Sequence, residues 1–114
     1  MSSLADLMER AKTIRALYAA DEARRFGRSW TVEEVALGFV GDVGDLAKLV
    51  QSKAGVRHHN HVDEAIAHEL ADCLWSVLVL ADAYGVDLEA SFTQTMTSLE
   101  THLQRSAAGA DIQD

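Results

Sequence analysis

Two pairs of acidic residues with the same spacing are the part of this sequence best suited to chemistry. Asp42 and Asp45 form the first pair, and Glu69 and Asp72 form the second. In a helix, side chains three residues apart lie about 60° apart on one face, because each residue turns the helix by roughly 100°. Four carboxylates on two packed helices can therefore converge. Oxygen ligands of this kind are what hard divalent cations such as Mg²⁺ prefer.

Each acidic pair borders an apolar stripe of its own segment. Acids at the edge of a packing seam are half-buried, and they cost free energy unless something neutralises them. The alternative interpretation is that both pairs are ordinary surface acids on solvated helix edges. The first stripe consists of Phe39, Val43, Leu46 and Val50, and the second of Ile66, Leu70, Cys73, Leu74, Val77 and Ala81.

The spacing of apolar residues predicts four helices, at about residues 4–25, 31–53, 62–84 and 87–104. Thr31 followed by Glu34 is a capping box that begins the second helix, and Gly27 and Gly85 end the first and third. The chain contains no proline. We therefore expect an all-α four-helix bundle in a single domain, residues 1–105, with a disordered tail at residues 106–114.

Three glycines interrupt the second predicted helix, at Gly38, Gly41 and Gly44. Each costs roughly 1 kcal/mol relative to alanine inside a helix. Their regular spacing predicts that another helix or a ligand approaches the backbone closely at this face.

Composition excludes several classes of partner and function. The 114 residues carry a net charge of −8, which argues against a nucleic-acid partner because phosphate backbones favour clusters of Lys and Arg. No apolar stretch is long enough to cross a membrane, and the first residues do not resemble a secretion signal. The single cysteine, Cys73, lies on an apolar stripe and fits the reducing cytoplasm.

The third predicted helix is apolar on nearly every side, because Trp75, Leu78 and Val79 lie away from its main stripe. A helix of this kind is buried on more than one face. In so short a chain the second covering surface is expected to come from another copy. The sequence therefore predicts a homodimer or homotetramer built around this helix.

At its acidic motifs the chain resembles the MazG-like all-α nucleotide pyrophosphohydrolases, which include the dCTP pyrophosphatases. The segment Val-Gly-Asp-Val-Gly-Asp-Leu at 40–46 is similar to the family's Val-Gly-Glu-Val-Gly-Glu-Leu. The segment Glu-Leu-Ala-Asp-Cys-Leu-Trp at 69–75 and the later Gly-Val-Asp-Leu at 85–88 resemble its second acidic helix and the turn that follows. The similarity covers roughly residues 31–92.

This resemblance implies an oligomeric helical bundle that binds Mg²⁺, or alternatively Mn²⁺, through Asp42, Asp45, Glu69 and Asp72. It also implies that these four acids are catalytic. The implied reaction is hydrolysis of a nucleoside triphosphate between its α and β phosphates, which yields a monophosphate and pyrophosphate.

The chain departs from the family pattern at two places. The first acidic pair is Asp/Asp where the family has Glu/Glu, so each carboxylate is one methylene shorter. Many members also carry Lys, Asn, Arg and Tyr on the last helix, where this chain has Thr95, Leu99, His102 and Leu103. These differences support a rival hypothesis, a non-catalytic module that binds a nucleotide or a protein and retains a relict metal site.

Several further residues are candidates for substrate binding. Arg28, Lys48 and Lys53 could reach phosphate, although each also fits an ordinary solvated position. The aromatic residues Phe26 and Trp30 could contact a base. The histidines in the loop at residues 57–61 could bind a transition metal, but a flexible loop is the favoured interpretation because no fourth ligand has suitable spacing.

Overall fold

A computed structural model of the chain describes residues 3–109, which form four α-helices and no strand. The helices are α1 Leu4–Phe26, α2 Val32–Lys53, α3 Val62–Ala83 and α4 Leu88–Ala107. The all-α, four-helix prediction is confirmed. Helix α4 extends two residues into the segment predicted as a tail, and residues 110–114 of that segment lie outside the described residues.

Local hydrogen bonds explain where the helices begin and end. At the start of α2, the Thr31 hydroxyl accepts from the backbone N–H of Glu34 at 3.2 Å. The Glu34 carboxylate in turn accepts from the Thr31 N–H at 3.0 Å, which completes the capping box. Helix α1 ends at Gly27, whose φ of 82° is a left-handed conformation that favours glycine.

The residues up to Tyr84 form one compact unit in which α3 packs against both α1 and α2. Its buried apolar side chains come from all three helices and are Ala11, Val35, Leu49, Leu78, Val79 and Ala81. The indole N–H of Trp75 donates to the backbone carbonyl of Ala11 at 3.3 Å, and this bond links α3 to α1. The α2–α3 contact is the more extensive of the two, so it sets the geometry of the acidic pairs.

The buried face of α2 is rotated from the predicted stripe. Val43 and Val50 are 45% and 55% exposed, whereas Val35 and Leu49 are buried. Residues 35, 39, 42, 46 and 49 follow the 3–4 spacing of one helical face, so Asp42 lies on the buried face itself. The predicted stripe was therefore partly wrong: Phe39 and Leu46 lie on the observed face, whereas Val43 and Val50 do not, because apolar residues on both sides of α2 allow either phase.

Helix α3 also differs from its predicted main stripe. Leu70 and Leu74 are 53% and 44% exposed, while Leu78 and Val79 are 3% and 8% exposed. A helix that is apolar on most sides does not reveal from sequence which side faces its neighbours. Leu70 and Leu74 thus remain exposed on α3, which is compatible with the expectation that another copy of the chain covers this helix.

The glycines of α2 differ in their surroundings. A Cβ atom built on Gly38 would lie 3.9 Å from the indole ring of Trp30, so this glycine faces an aromatic side chain in ordinary contact distance. For Gly41 and Gly44, no other described atom comes within 4 Å of such a Cβ. Of the three glycines, only Gly38 therefore has a neighbouring side chain at the face where the sequence predicts a close approach to the backbone.

The second compact unit begins at Gly85 and contains α4. The Asp87 side chain accepts from the Ala90 N–H at 3.1 Å and caps this helix, as the sequence predicts. An apolar stripe runs along α4 and consists of Phe92, Met96, Leu99 and Leu103. Among residues 3–109, no helix has both the length and the apolar character needed to span a bilayer.

We expect the folding stability of the Glu34→Gln variant to depend less on pH, in the acidic range, than that of the wild type. Hydrogen bonds from Arg28, at 2.6 and 3.0 Å, together with the Thr31 N–H, lower the pKa of Glu34 to about 2. A lowered carboxyl pKa stabilises the fold above the ordinary value of 4.5, and that stability is lost as the pH falls toward 2. When thermal unfolding is measured from pH 6 to pH 2, the melting temperature of the variant should therefore fall less than that of the wild type.

Glu33→Gln is the matched control, because Glu33 is an exposed acid in the same first turn of α2. The Arg28–Glu34 pair is partly exposed, so solvent screens it, and the difference should be small and should shrink at high salt. Identical pH dependence in the two variants would contradict the role given to this pair.

Candidate metal centre

The first acidic pair lies on α2, and its two members differ in burial. Asp42 is half-buried because it shares the face that packs against α3, whereas Asp45 is exposed at the edge of that face. The difference follows from helical geometry, since a residue three positions further along lies about 60° around the helix. One carboxylate therefore points into the seam, and the other lies at its border.

The second pair lies on the facing helix, α3, and both Glu69 and Asp72 are half-buried. Glu69 is two turns before the buried Ser76, so both lie on the face that α3 presents to its neighbours. One oxygen each from Asp42, Asp45 and Glu69 lie within 4.8 Å of one another. Glu69 also lies within the same distance of Asp72 and His68, so it is shared by two potential ligand groups.

Burial and the repulsion between neighbouring carboxylates both act on this cluster. Burial raises the pKa of Glu69, and the neighbouring carboxylates of Asp72, Asp42 and Asp45 raise it further. Burial likewise raises the pKa of Asp42, as do Asp72 and Asp45, while His68 opposes the shift. The shifts indicate that the protein without a cation holds more negative charge here than its surroundings compensate.

One oxygen atom of the cluster has no hydrogen-bond partner. The Oε2 atom of Glu69 is fully buried, and no donor among residues 3–109 reaches it. A buried carboxylate oxygen without a donor is costly, so such an atom calls for an ion or a water molecule. The potential ligand groups around it supply further carboxylate oxygens and the imidazole of His68, which lies 3.1 Å from Asp72.

This donor set fits a hard divalent cation. Mg²⁺ is bound in proteins by one or two carboxylates together with substrate phosphate and water, and Asp42, Asp45 and Glu69 offer carboxylates within reach of one point. Mn²⁺ accepts the same oxygens, and the nearby imidazole of His68 suits it as well. Asp72 lies next to Glu69 and would join or orient this set.

A cavity of about 650 Å³ opens next to the acids. Asp42 and Asp72 line it together with charged residues of α1 and with aromatic residues from α1, α3 and the α1–α2 connection. These aromatic residues are Tyr18, Phe26, Trp30 and Trp75. Tyr18 and Trp75 meet edge to face, with ring centroids 5.6 Å apart. The site thus combines an anionic border with an aromatic interior.

The structure separates the predicted substrate-binding residues into two groups. Phe26 and Trp30 both line the cavity. Arg28 is paired with Glu34 and Lys53 with Asp63 at 2.7 Å, so their charges are engaged in contacts near the helix ends. Lys48 is exposed on α2, three residues after Asp45, and is not among the cavity-lining residues.

The histidine-containing loop is held by local contacts. His58 pairs with the side chain of Asn60 at 2.8 Å, and the ring of His59 accepts from the backbone N–H of His61 at 3.1 Å. The groups of potential metal ligands found in residues 3–109 do not include these histidines. A transition-metal site in this loop is therefore not supported by the structure.

Sequence reasoning did not identify some residues of the site. His68 was missed, although its position directly before Glu69 and four residues before Asp72 places it beside the cluster on α3. Arg15 and Glu22 were missed too, and both line the cavity. Their separation of seven residues on α1 is a weak signal, because it also describes an ordinary charged helix face.

Comparison with protein families agrees with this geometry. The family model described as the MazG nucleotide pyrophosphohydrolase domain matches residues 30–102, which is well over half of the chain. The chain therefore belongs to the MazG family of nucleotide pyrophosphohydrolase domains. No curated protein and no solved structure matched the chain in the corresponding searches. The matched region contains both acidic pairs and Trp30.

We expect Mg²⁺ to stabilise the wild-type protein and Asp42→Asn to reduce that effect. A ligand at 100 times its dissociation constant stabilises the folded state by about 2.7 kcal/mol. Removing the Asp42 charge also relieves repulsion, so the metal-free variant should melt at a higher temperature than the metal-free wild type. Thermal unfolding with and without Mg²⁺ measures both effects.

Glu64→Gln provides the control, because Glu64 is an exposed acid on α3 outside the cluster. This variant should keep the full response to Mg²⁺. If Asp42→Asn responds to Mg²⁺ as strongly as the wild type and Glu64→Gln do, the cation binds somewhere else.

Proposed function

We propose that the protein is a Mg²⁺-dependent nucleoside triphosphate pyrophosphohydrolase. The reaction would break the bond between the α and β phosphates and release a nucleoside monophosphate and pyrophosphate, as part of nucleotide-pool housekeeping. The observation that carries the proposal is the convergence of Asp42, Asp45 and Glu69, one of which, Glu69, has a buried oxygen that lacks a partner. Membership in the MazG family supports the reaction class.

In this proposal the four acids hold the cation and thereby place the phosphates. A divalent cation supplies neutralisation of charge on phosphate oxygens and activation of water for in-line attack. The half-buried Asp42 and Glu69 fix the site within the seam, while the exposed Asp45 lies where a phosphate can approach from solvent. The excess of negative charge in the cluster means that a triphosphate binds only together with its cation.

The cavity supports a nucleotide as the substrate. Its volume of about 650 Å³ lies within the usual range for small-molecule sites, about 300–1,000 Å³. The acids border one part, and the aromatic rings of Phe26 and Trp30 offer stacking surfaces for a planar base. The phosphates would thus lie toward the α2–α3 seam and the base toward α1.

We further propose that the protein acts as a homodimer or homotetramer. Large apolar side chains remain exposed on the helices that carry the acids, and the most exposed on α2 are Leu37 and Val40, at 73% and 65%. On α3, Leu70 and Leu74 are also exposed. Exposed apolar surface, where it is contiguous, marks interaction sites in soluble proteins.

The second candidate function is a non-catalytic helical module that binds a nucleotide or a protein through a relict metal site. The exposed position of Asp45 and the short reach of both aspartates favour it. If the shorter side chains displace a cation by about 1 Å, catalysis can fall by about 100-fold while binding persists.

Purified protein incubated with Mg²⁺ and a panel of nucleoside triphosphates should release pyrophosphate from at least one of them. Asp45→Asn and Glu69→Gln should each lower the rate by at least about 100-fold, because both remove a charged cation ligand at the reacting phosphates. A pyrophosphate-coupled assay gives the rates, and circular dichroism shows whether each variant remains helical.

The same Glu64→Gln control should retain wild-type activity. Pyrophosphate release that survives in both Asp45→Asn and Glu69→Gln would mean that the reaction occurs elsewhere. Binding of nucleotide without release from any substrate would instead favour the non-catalytic module.

A further inference from the structure

Two charged side chains of α1 hold the backbone of Trp30 from both sides. The Glu22 carboxylate accepts from the Trp30 N–H at 2.8 Å. The Arg15 guanidinium donates to the Trp30 carbonyl at 3.0 Å. Arg15 and Glu22 also pair with each other at 3.2–3.3 Å. These three residues form a closed set of contacts that we call the Trp30 clamp.

The Trp30 clamp requires a buried charge. Glu22 is only 7% exposed, and burial raises its pKa, but the hydrogen bonds from Trp30 and Arg15 and the charge of Arg15 lower it more, so the net shift is downward. A buried ion pair seldom stabilises a fold more than packed apolar residues would. A contribution to folding stability is therefore a weak explanation for the buried Arg15–Glu22 pair.

The start of α2 does not need the clamp. Thr31 and Glu34 form the capping box, and Arg28 pairs with Glu34, so the N-terminus of α2 is already held by its own contacts. Arg15 and Glu22 instead contact the backbone of Trp30, the residue before the N-cap Thr31. What they fix is the position of the Trp30 backbone, and with it the direction of the Cα–Cβ bond from which the indole extends.

The indole of Trp30 lies close to Gly38 of α2. A Cβ atom on Gly38 would lie 3.9 Å from the ring, which is ordinary contact distance. Trp30 is nevertheless 46% exposed and lines the cavity that Asp42 and Asp72 border. A large aromatic ring that is clamped at its backbone and yet exposed offers a pre-organised stacking surface.

We propose that Arg15 and Glu22 are positioning residues, which hold Trp30 so that its indole forms a wall of the cavity for the planar aromatic part of the substrate. This inference rests on the proposed function, because it assumes a nucleotide whose phosphates lie at the acids. Stacking of a base on an aromatic side chain changes affinity by about 5- to 150-fold. The clamp gains part of this factor by fixing the backbone that carries the indole before the substrate arrives.

The double variant Arg15→Met/Glu22→Leu tests the inference without leaving an unpaired buried charge. Apolar residues of similar size usually replace a buried ion pair without loss of stability, so the helices should remain folded. Binding is measured by calorimetry in the presence of Mg²⁺ with two probes. One probe is the tightest-binding α,β-methylene nucleoside triphosphate, which has a base, and the other is inorganic tripolyphosphate, which has none.

The double variant should bind the methylene nucleotide about 10-fold more weakly than the wild type and should bind tripolyphosphate equally well. Trp30→Ala should show the same selective loss. Glu22→Gln keeps an oxygen that accepts from the Trp30 N–H, so it should retain nucleotide affinity within about 3-fold. In a Trp75→Phe background, where Trp30 is the sole tryptophan, the double variant should also show increased quenching of indole fluorescence by acrylamide.

Unchanged affinity for both probes, or equal weakening of both, would overturn the inference while leaving the proposed function intact. Wild-type protein that binds neither probe would contradict the proposed function itself, and the inference would fall with it. If the double variant does not fold, Arg15→Lys takes its place. The lysine ammonium lacks the planar fork of the guanidinium, so it cannot reproduce the paired contacts with Glu22 and Trp30. Nucleotide binding that remains unchanged in this variant would also overturn the inference.

Discussion

Repulsion between carboxylates in the seam between α2 and α3 is the constraint on which the rest of this structure depends. Asp42 lies on the buried face of α2, and Glu69 lies opposite it on α3 with one oxygen lacking a donor. Packing the two helices together therefore forces like charges toward each other. Under the proposed function, a divalent ion would turn these same charges into ligands.

The three helices of the first compact unit contribute different parts of the site. The α2–α3 seam supplies the carboxylates that would hold a cation, and through it the phosphates, under the proposed function, whereas α1 supplies much of the aromatic cavity next to it. Trp75 joins these parts, since it lies on α3, lines the cavity and donates a hydrogen bond to α1. The proposed placement of the phosphates at the α2–α3 seam and of the base toward α1 thus follows from the packing of α3 against both other helices.

The features that depend on residues close together in the sequence could be predicted from it, whereas those that depend on how the helices pack could not. The Thr31 capping box and the spacing of the acids depend only on near neighbours, so the helices and the two acidic pairs were predictable. The exposure of Leu74 depends on which side of an apolar helix meets its neighbours, and periodicity does not give that. Glu22 escaped prediction because its partner Trp30 follows a turn, and His68 because a lone histidine rarely signals a site.

Anomalous diffraction from crystals grown with Mn²⁺ tests the central claim most directly. The account predicts an anomalous peak in the α2–α3 seam, within bonding distance of carboxylate oxygens from Asp42, Asp45 and Glu69, with the previously unpartnered Glu69 oxygen among them. Carboxylates that point apart into solvent, with manganese bound elsewhere or not at all, would contradict the claim that the seam is a metal centre.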